Sequence, residues 1–387
     1  MPIAKIVHII TKLELGGAQL NTLYTVTHLD RKKFAPYLIS GEEGILDADA
    51  EKSGVPFYRV PQMVREIRPR QDISAFWALN SILRRIRGSE PRLPVIVHTH
   101  SSKAGILGRW AARFARCEGI AHTYHGFGFT SEQSAAVYAA FVYAERIARP
   151  ITDRFICVSR NNIERGAAKR VLRPEHTSLI RSGISIGEYS SEGKDRKSAR
   201  REIGAPEDAP LVGMVACFKP QKAPLDFVEI AALVAREEPR AWFIIAGDGE
   251  LRPDIERRVA ERGLGERFRL LGWRRDIPEL MSAMDVLALP SLWEGLPRVI
   301  PQAWAAGLPV VVTAVDGSAE AVSDGENGFL FQPHDIESAA RSVLRLLRED
   351  ALREKIREAG FKSVAEFDID LMVRQQEQLY ENMLNIV

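Results

Sequence analysis

Three cysteines in 387 residues are too few and too scattered to organise a fold. Cys117, Cys157 and Cys217 form no CxxC pair and have no histidine at ligand spacing, which argues against a disulfide framework and a zinc site and fits a reducing cytosol. Long apolar runs are also missing. The longest charge-free stretch, 299–315, is broken by Pro301, Gln302, Gly307 and Pro309 and reads as a buried helix and strand, not a membrane span. The opening MPIAKIVHII is too short for the apolar core of a signal peptide and reads as a first strand, so no export is expected. A Walker lysine motif is absent. Neither the glycine pair Gly16 and Gly17 nor the GDG at 247–249 completes a dinucleotide fingerprint, which disfavours a nicotinamide cofactor. No repeat of fixed period and no low-complexity tract interrupts the chain.

What is present is ample apolar content, 45%, in a chain longer than one core comfortably supports, since single cores stop growing near ~250–300 residues. Two domains are therefore expected. Strand and helix patterns alternate through both halves, which predicts α/β architecture with doubly wound parallel sheets. In the first half the strands are read at 3–10, 37–40, 56–60, 95–98, 120–124 and 154–158, with a helix over 19–29. From 183 the text turns rich in Ser, Gly, Pro and charge until a new apolar strand begins at Leu211, so a linker is placed there. The expected division is 1–190, 191–366 and a last helix, 367–387, packing back toward the N-terminal domain. In the second half the strands are read at 211–215, 241–246, 268–271 and 286–289.

Net charge is only +2, but up to Ser190 there are 27 Lys and Arg against 17 Asp and Glu, and the remainder carries 26 against 34. Such asymmetry suits an anionic partner of the first half, a phospholipid surface or a pyrophosphate-bearing acceptor. Two first-half helices add apolar and aromatic residues to this: 104–116 interleaves Leu107, Trp110 and Phe114 with Arg109, Arg113 and Arg116, and AVYAAFVYAERIAR follows. Helices of that kind can lie on a membrane surface.

The chemistry concentrates in PSLWEGLPRVIPQAWAAGLPVVVTAVDG, 290–317. Glu294 follows an apolar strand, and Gly295 and Leu296 lead to Pro297, whose fixed φ and missing N–H suit the first position of a helix. A helix starting there offers unpaired amides to an anion or a sugar hydroxyl. Arg298 and Gln302 share one face of that helix. Lys219 and Lys222 follow the first strand of the second half, where two ammonium groups would neutralise a diphosphate. His125, in HTYHGFGF, ends a strand of the first half before glycines that allow close approach to the backbone.

Taken as an ordered set, GGAQ, HTHSSKAGILGR, HGFGF, ICVS, KPQKAP, IAGDGELR, LGW, MDVLALPS, EGLPRVIPQAWAAGLPVV and DGENGFL resemble the retaining, nucleotide-sugar-dependent glycosyltransferases of family 4. The resemblance spans nearly the whole chain and is closest to the branch that builds polysaccharides or lipid-linked oligosaccharides on polyprenyl carriers. It implies the GT-B fold, two doubly wound Rossmann-like domains facing a central cleft, and a donor that is a UDP-sugar rather than a GDP-sugar. It implies catalytic roles for His125, Lys222 and Glu294. Donor contacts would come from Gly16, Gly17, Lys219, Gly247, Trp273, Arg274, Gly295, Leu296, Pro297, Arg298 and Gln302. No cofactor and no metal are implied, and no nucleic acid. The acceptor would be a glycan or a polyprenyl-linked sugar, met in the cytoplasm at the inner face of the cell membrane. Three positions depart from the family pattern. Gln302 stands where a second glutamate is usual, Cys217 where an arginine precedes the lysine, and GGAQ replaces GGAE. Two other readings of the same architecture are a nucleotide-sugar 2-epimerase and a sugar-nucleotide-binding protein of weakened activity.

Overall fold

The computed structural model describes residues 2–130 and 133–384. The chain divides into two compact units, Met1–Gly183 with Ile369–Val387, and Ile184–Asp368. The first holds a seven-stranded sheet, β1 (Ala4–Lys12), β2 (Phe34–Glu42), β3 (Phe57–Arg59), β4 (Val95–His100), β5 (Gly119–Tyr124), β6 (Arg154–Cys157) and β7 (Thr177–Leu179), in the order β3-β2-β1-β4-β5-β6-β7. Every neighbouring pair is parallel. Helices cover both faces, so the central strands β1 and β4 are buried almost along their whole length, and they carry Lys5, His8, His98 and His100 inside together with their apolar residues.

On one face Ala75, Leu79, Leu83 and Ile86 of the helix Pro69–Ser89, and Ala104, Ala111 and Ala112 of the helix Ser102–Ala115, pack on Val7, Ile9 and Val97. Small residues are needed there: a Cβ at Gly105 would come within 2.6 Å of the His122 ring, and one at Gly108 within 2.8 Å of Thr99. The other face is closed by the helix Ile369–Leu384, whose Met372, Val373, Tyr380 and Met383 meet Ile6, Ile96, Ala121 and Ile156.

The structure corrects one expectation about the basic helix. Arg109 does not join Arg113 and Arg116 on a solvated side but lies fully buried, 2.6 Å from Glu145 of the helix Ala135–Ala148. Tyr124 donates to the same carboxylate at 2.7 Å. Removing one member of a buried pair strands the other charge in low dielectric, so Glu145→Ala is expected to cost about 3–5 kcal/mol, measured by urea unfolding of the intact chain.

The second unit holds β8 (Leu211–Val215), β9 (Trp242–Ala246), β10 (Phe268–Leu270), β11 (Val286–Leu289), β12 (Val310–Thr313) and β13 (Phe329–Phe331), in the order β10-β9-β8-β11-β12-β13, again all parallel. The edge strands β7 and β13, three residues each, were not read from the sequence. The division also falls at Gly183, not at residue 190. Residues 184–190 belong with the second unit because the Ile184 N–H donates to the Phe367 carbonyl at 2.7 Å and Tyr189 is hydrogen-bonded to Gln302.

In each sheet the strand order reverses once, between β1 and β4 and between β8 and β11. Loops leaving the carboxyl ends of strands at such a reversal splay apart and leave a crevice, the usual ligand position in open α/β sheets.

Candidate active site

The reversal in the second unit is flanked by the loop after β8, residues 216–223, and the loop after β11, residues 290–298. They are stitched together by backbone and amide contacts. The Leu292 N–H donates to the Gln221 carbonyl at 2.8 Å, and the Gln221 side chain donates to the Trp293 carbonyl at 2.8 Å. This brings Lys222 and Glu294, 72 residues apart in sequence, into a direct ion pair. Glu294 is only 7% exposed, and its own N–H donates to the Asp316 carboxylate at 3.0 Å.

Two glycines let further loops close on this pair. A Cβ at Gly317 would sit 2.0 Å from the Gly295 carbonyl oxygen, so the turn after β12 lies against the backbone that follows Glu294. Gly247, at φ +143°, would place a Cβ 1.9 Å from the Ala216 carbonyl oxygen, which holds the turn after β9 against the loop after β8. Lys219 is half-buried at the head of the short turn Pro220–Lys222, and Cys217 lies on the same loop, also half-buried. The arrangement is a charge-balanced ammonium and carboxylate set among close backbone amides. A group with both negative charge and hydroxyls can exchange for each partner of the pair.

The helix expected from Pro297 begins two residues later, at Val299, and runs only to Ala305. Pro301 is the third helical residue, where the N–H would have no intrahelical acceptor in any case, so the proline is tolerated. Seven residues sum to a modest dipole. Fixed donors at this point are therefore the loop amides and the lysine more than the helix end.

Arg298 stands at the N-terminal cap of this helix, half-buried, with burial pulling its pKa down against the opposing influence of Tyr189 and Glu188. Gln302 is buried and donates its amide to the Tyr189 hydroxyl at 2.7 Å. Burial pushes that phenol up to about 12. One half of the Gln302 amide is thus engaged in locking residues 184–190 to the helix. Arg274 donates to Asp276 at 2.7 Å and to Glu202 at 2.5 Å, while Trp273 beside it is 51% exposed. Two acidic residues of the first unit are held by local partners: Asp47 pairs with Arg59 at 3.0 Å and Asp370 accepts from Tyr24 at 2.7 Å.

In the first unit Gly16 is the N-terminal cap of the helix Gly17–His28, and a Cβ there would meet Gln19 Oε1 at 2.5 Å. His125 follows β5 and lines a small cavity of mixed character with Asn21, His100, Thr123, Ile180 and Met372. Sequence reading missed Asp316, Gly317, Gln221 and Tyr189. A turn signal, AVDG directly after the buried VVVT, marks the first two; the other two have no local signal, because their partners are distant in sequence.

Comparison with known proteins agrees with both halves of this description. The family model for glycosyl transferases group 1 matches residues 195–363, and that for glycosyltransferase family 4 matches residues 15–188. The chain is 32% identical over 383 residues to the UDP-Gal:alpha-D-GlcNAc-diphosphoundecaprenol alpha-1,3-galactosyltransferase of Escherichia coli, covering 98% of this chain and 97% of that protein. It superposes on the crystal structure of Anabaena Alr3699/HepE in complex with UDP and glucose with a TM-score of 0.83 at 21% identity, over 98% of this chain and all (100%) of that one. On the crystal structure of WaaG, a glycosyltransferase involved in lipopolysaccharide biosynthesis, the TM-score is 0.75 at 18% identity, over 96% and 98% of the two chains. The structural likenesses speak for the GT-B fold. With both halves matched by family models and a relative of this identity aligned end to end, the chain belongs to glycosyltransferase family 4 and is a sugar-transferring enzyme.

Proposed function

We propose that this enzyme moves a hexose-type sugar from a UDP-sugar to a glycan or polyprenyl-linked acceptor in polysaccharide biosynthesis, with retention of the anomeric configuration. The observation that carries the reading is the Lys222–Glu294 pair at the strand-order reversal of the second unit. Support also comes from the Escherichia coli relative, whose name specifies a UDP-sugar donor and a diphosphoundecaprenol-linked acceptor. That relative transfers sugar, which disfavours the epimerase reading.

On this reading the acceptor hydroxyl attacks the anomeric carbon from the face that the diphosphate leaves. The bond from C1 to the diphosphate oxygen breaks as the bond to the acceptor oxygen forms, and the hydroxyl proton passes to a leaving phosphate oxygen. The products are the retained glycoside and UDP. Lys222, with Lys219, takes the charge that develops on the leaving group, and Glu294, released from Lys222, accepts hydrogen bonds from the donor-sugar hydroxyls. The amides of Gly295, Leu296 and Arg298 add fixed donors beside it, and Pro297 holds their loop. Gln302 offers the remaining half of its amide to the ribose, Trp273 offers its exposed ring to the base beside Arg274, and Gly247 allows close backbone approach. In the first unit Gly16 and Gly17 admit the pyrophosphate to the backbone, and His125 contacts the sugar. No step needs a metal, so turnover is expected to survive a chelator.

The test is incubation with UDP- and GDP-sugars and polyprenyl diphosphate-linked acceptors, following nucleotide release and the anomeric proton of the product by NMR. An inverted product, or transfer from GDP-sugars alone, overturns the reading.

A peripheral membrane site belongs to the same proposal. No helix among the described residues is long and apolar enough to cross a membrane. The helix Ala135–Ala148 nevertheless leaves Ala136, Ala140, Tyr143 and Ile147 exposed as one stripe, with Arg146 beside it. Binding to anionic liposomes that weakens with salt is expected, and Tyr143→Asp with Ile147→Asp should reduce flotation at least ~10-fold, since burying one such side chain contributes roughly 1.5–3 kcal/mol. Wild-type protein that does not float at low salt removes this part of the proposal.

A further inference from the structure

Four histidines of the first unit, scattered from position 8 to 125, form one hydrogen-bonded chain with Tyr380. His8 on β1 lies opposite His98 on β4 in the strand register, and His100 follows on the same face. The contacts run from His125 Nε2 to His100 Nδ1 at 3.1 Å, from His100 Nε2 to His8 Nδ1 at 2.9 Å, and from His8 Nε2 to the Tyr380 hydroxyl at 3.2 Å. They continue from Tyr380 to His98 Nδ1 at 2.6 Å and from His98 Nε2 to Thr123 Oγ1 at 2.7 Å. The three histidines nearest one another, His8, His98 and His100, also sit close enough to suggest a metal cluster. Their facing nitrogens, however, already bond to one another or to the Tyr380 and Thr123 hydroxyls.

A neutral imidazole has one N–H and one acceptor nitrogen, so each link dictates the next. Burial keeps His8, His98 and His100 neutral. The phenol has one proton to donate; Gln376 Oε1 accepts from it at 3.3 Å, but its shortest contact is to His98, where 2.6 Å suits an O–H donor better than an imidazole N–H donor, and on either choice the phenol oxygen is left to accept from His8. Tyr380 then donates to His98, His98 donates from Nε2 to Thr123, and His8 must donate from Nε2 to Tyr380. His100 must in turn donate from Nε2 to His8, and His125 from Nε2 to His100.

We infer that this chain fixes His125 as the Nε2–H tautomer, so that in its neutral form its Nδ1 accepts a hydrogen bond from a substrate hydroxyl. His8, His98, His100 and Tyr380 are positioning residues that act through His125. Asn21, 2% exposed, lines the same cavity as His125, and neither atom of its amide has a protein partner among the described residues. The functional half of the inference rests on the reading of His125 as a sugar-side residue; the tautomer itself does not.

The test has two arms on the full chain. Two-bond 15N–1H spectra of histidine-labelled protein are expected to show Nε2–H at His8, His98, His100 and His125, and Tyr380→Phe should turn His125 into a mixture. Nδ1–H at His125 in the wild type, or an unchanged His125 signal in Tyr380→Phe, overturns the inference. In the second arm Tyr380→Phe should lower kcat/KM about 10-fold, the scale of one hydrogen bond, and should add nothing to His125→Ala in the double variant. Additive losses would mean that Tyr380 merely supports packing. Wild-type turnover by His125→Ala would refute the sugar-side role while the spectra still judge the chain.

Discussion

Replacing Lys222 by alanine is expected to lower kcat by about 10²–10³-fold, the usual cost of removing one preorganised charge or donor from a developing anion. The KM for the donor should change much less, because the lysine is needed most when the diphosphate leaves. Glu294→Ala should be equally damaging for a different reason, loss of the carboxylate that orients the donor sugar. The ion pair between the two makes a second expectation specific to this chain. Glu294 is buried, so Lys222→Ala leaves its carboxylate without its cation. The double variant should therefore be no less stable than Lys222→Ala alone, and the kinetic losses should not add. Steady-state rates with thermal unfolding of each variant decide the matter. Wild-type turnover in both single variants would show that the site is elsewhere.

Acid should dismantle the first unit well before the second. Burial holds His8 down to about 3, and holds His98, His100 and His122 well below the ordinary 6.5. When such a chain unfolds, these rings regain their ordinary affinity for protons, so below pH 6.5 the unfolded state binds more protons than the folded one. Stability is then lost as pH falls from 6.5, down to about 3 for His8, and the histidines have no such effect above that window. Each fully buried ring costs about 1.4 kcal/mol per pH unit once titration is under way, or about 2 kcal/mol by pH 5. Four of them together approach a typical domain stability of roughly 5–15 kcal/mol.

The second unit has one histidine, His334, which is exposed beside Asp226. Its carboxylates held low by arginine hydrogen bonds, Asp248 by Arg252 and Asp276 by Arg274, lose their contribution only as pH falls below the ordinary 3.8. Hydrogen exchange between pH 7 and pH 5 should therefore show protection collapsing in β1, β4 and β5 while β8, β9 and β11 stay protected. Equal protection of both sheets at pH 5 would contradict the burial of this histidine set.

Much of the candidate site was legible because its residues follow strand ends, and strand ends are local. Glu294 follows four buried apolar residues, and Lys222 follows another such strand. Their pairing was not legible, since it depends on β8 and β11 lying side by side. The helix after Glu294 was placed two residues early, because Pro297 satisfies the rule for a first helical residue yet the backbone spends 297 and 298 completing the turn. Gln302 stood out in sequence as an amide where a carboxylate is usual; its engagement by Tyr189 comes from a segment 113 residues away. Arg109 misled for a similar reason, since its helix is basic on one side and nothing local reveals Glu145 waiting inside.

By itself the sequence determined the two parallel sheets, the loops that bear the candidate residues, and the family to which their order belongs. These follow from periodicity and turn chemistry within a few residues, and from motif order. Only the tertiary structure decided which charges are paired, that Arg109 is buried, and that histidines 8, 98, 100 and 125 form one hydrogen-bonded line through Tyr380. Those facts arise from strand register and from helices returning from the far end of the chain, where contact is set by packing and not by spacing along the sequence.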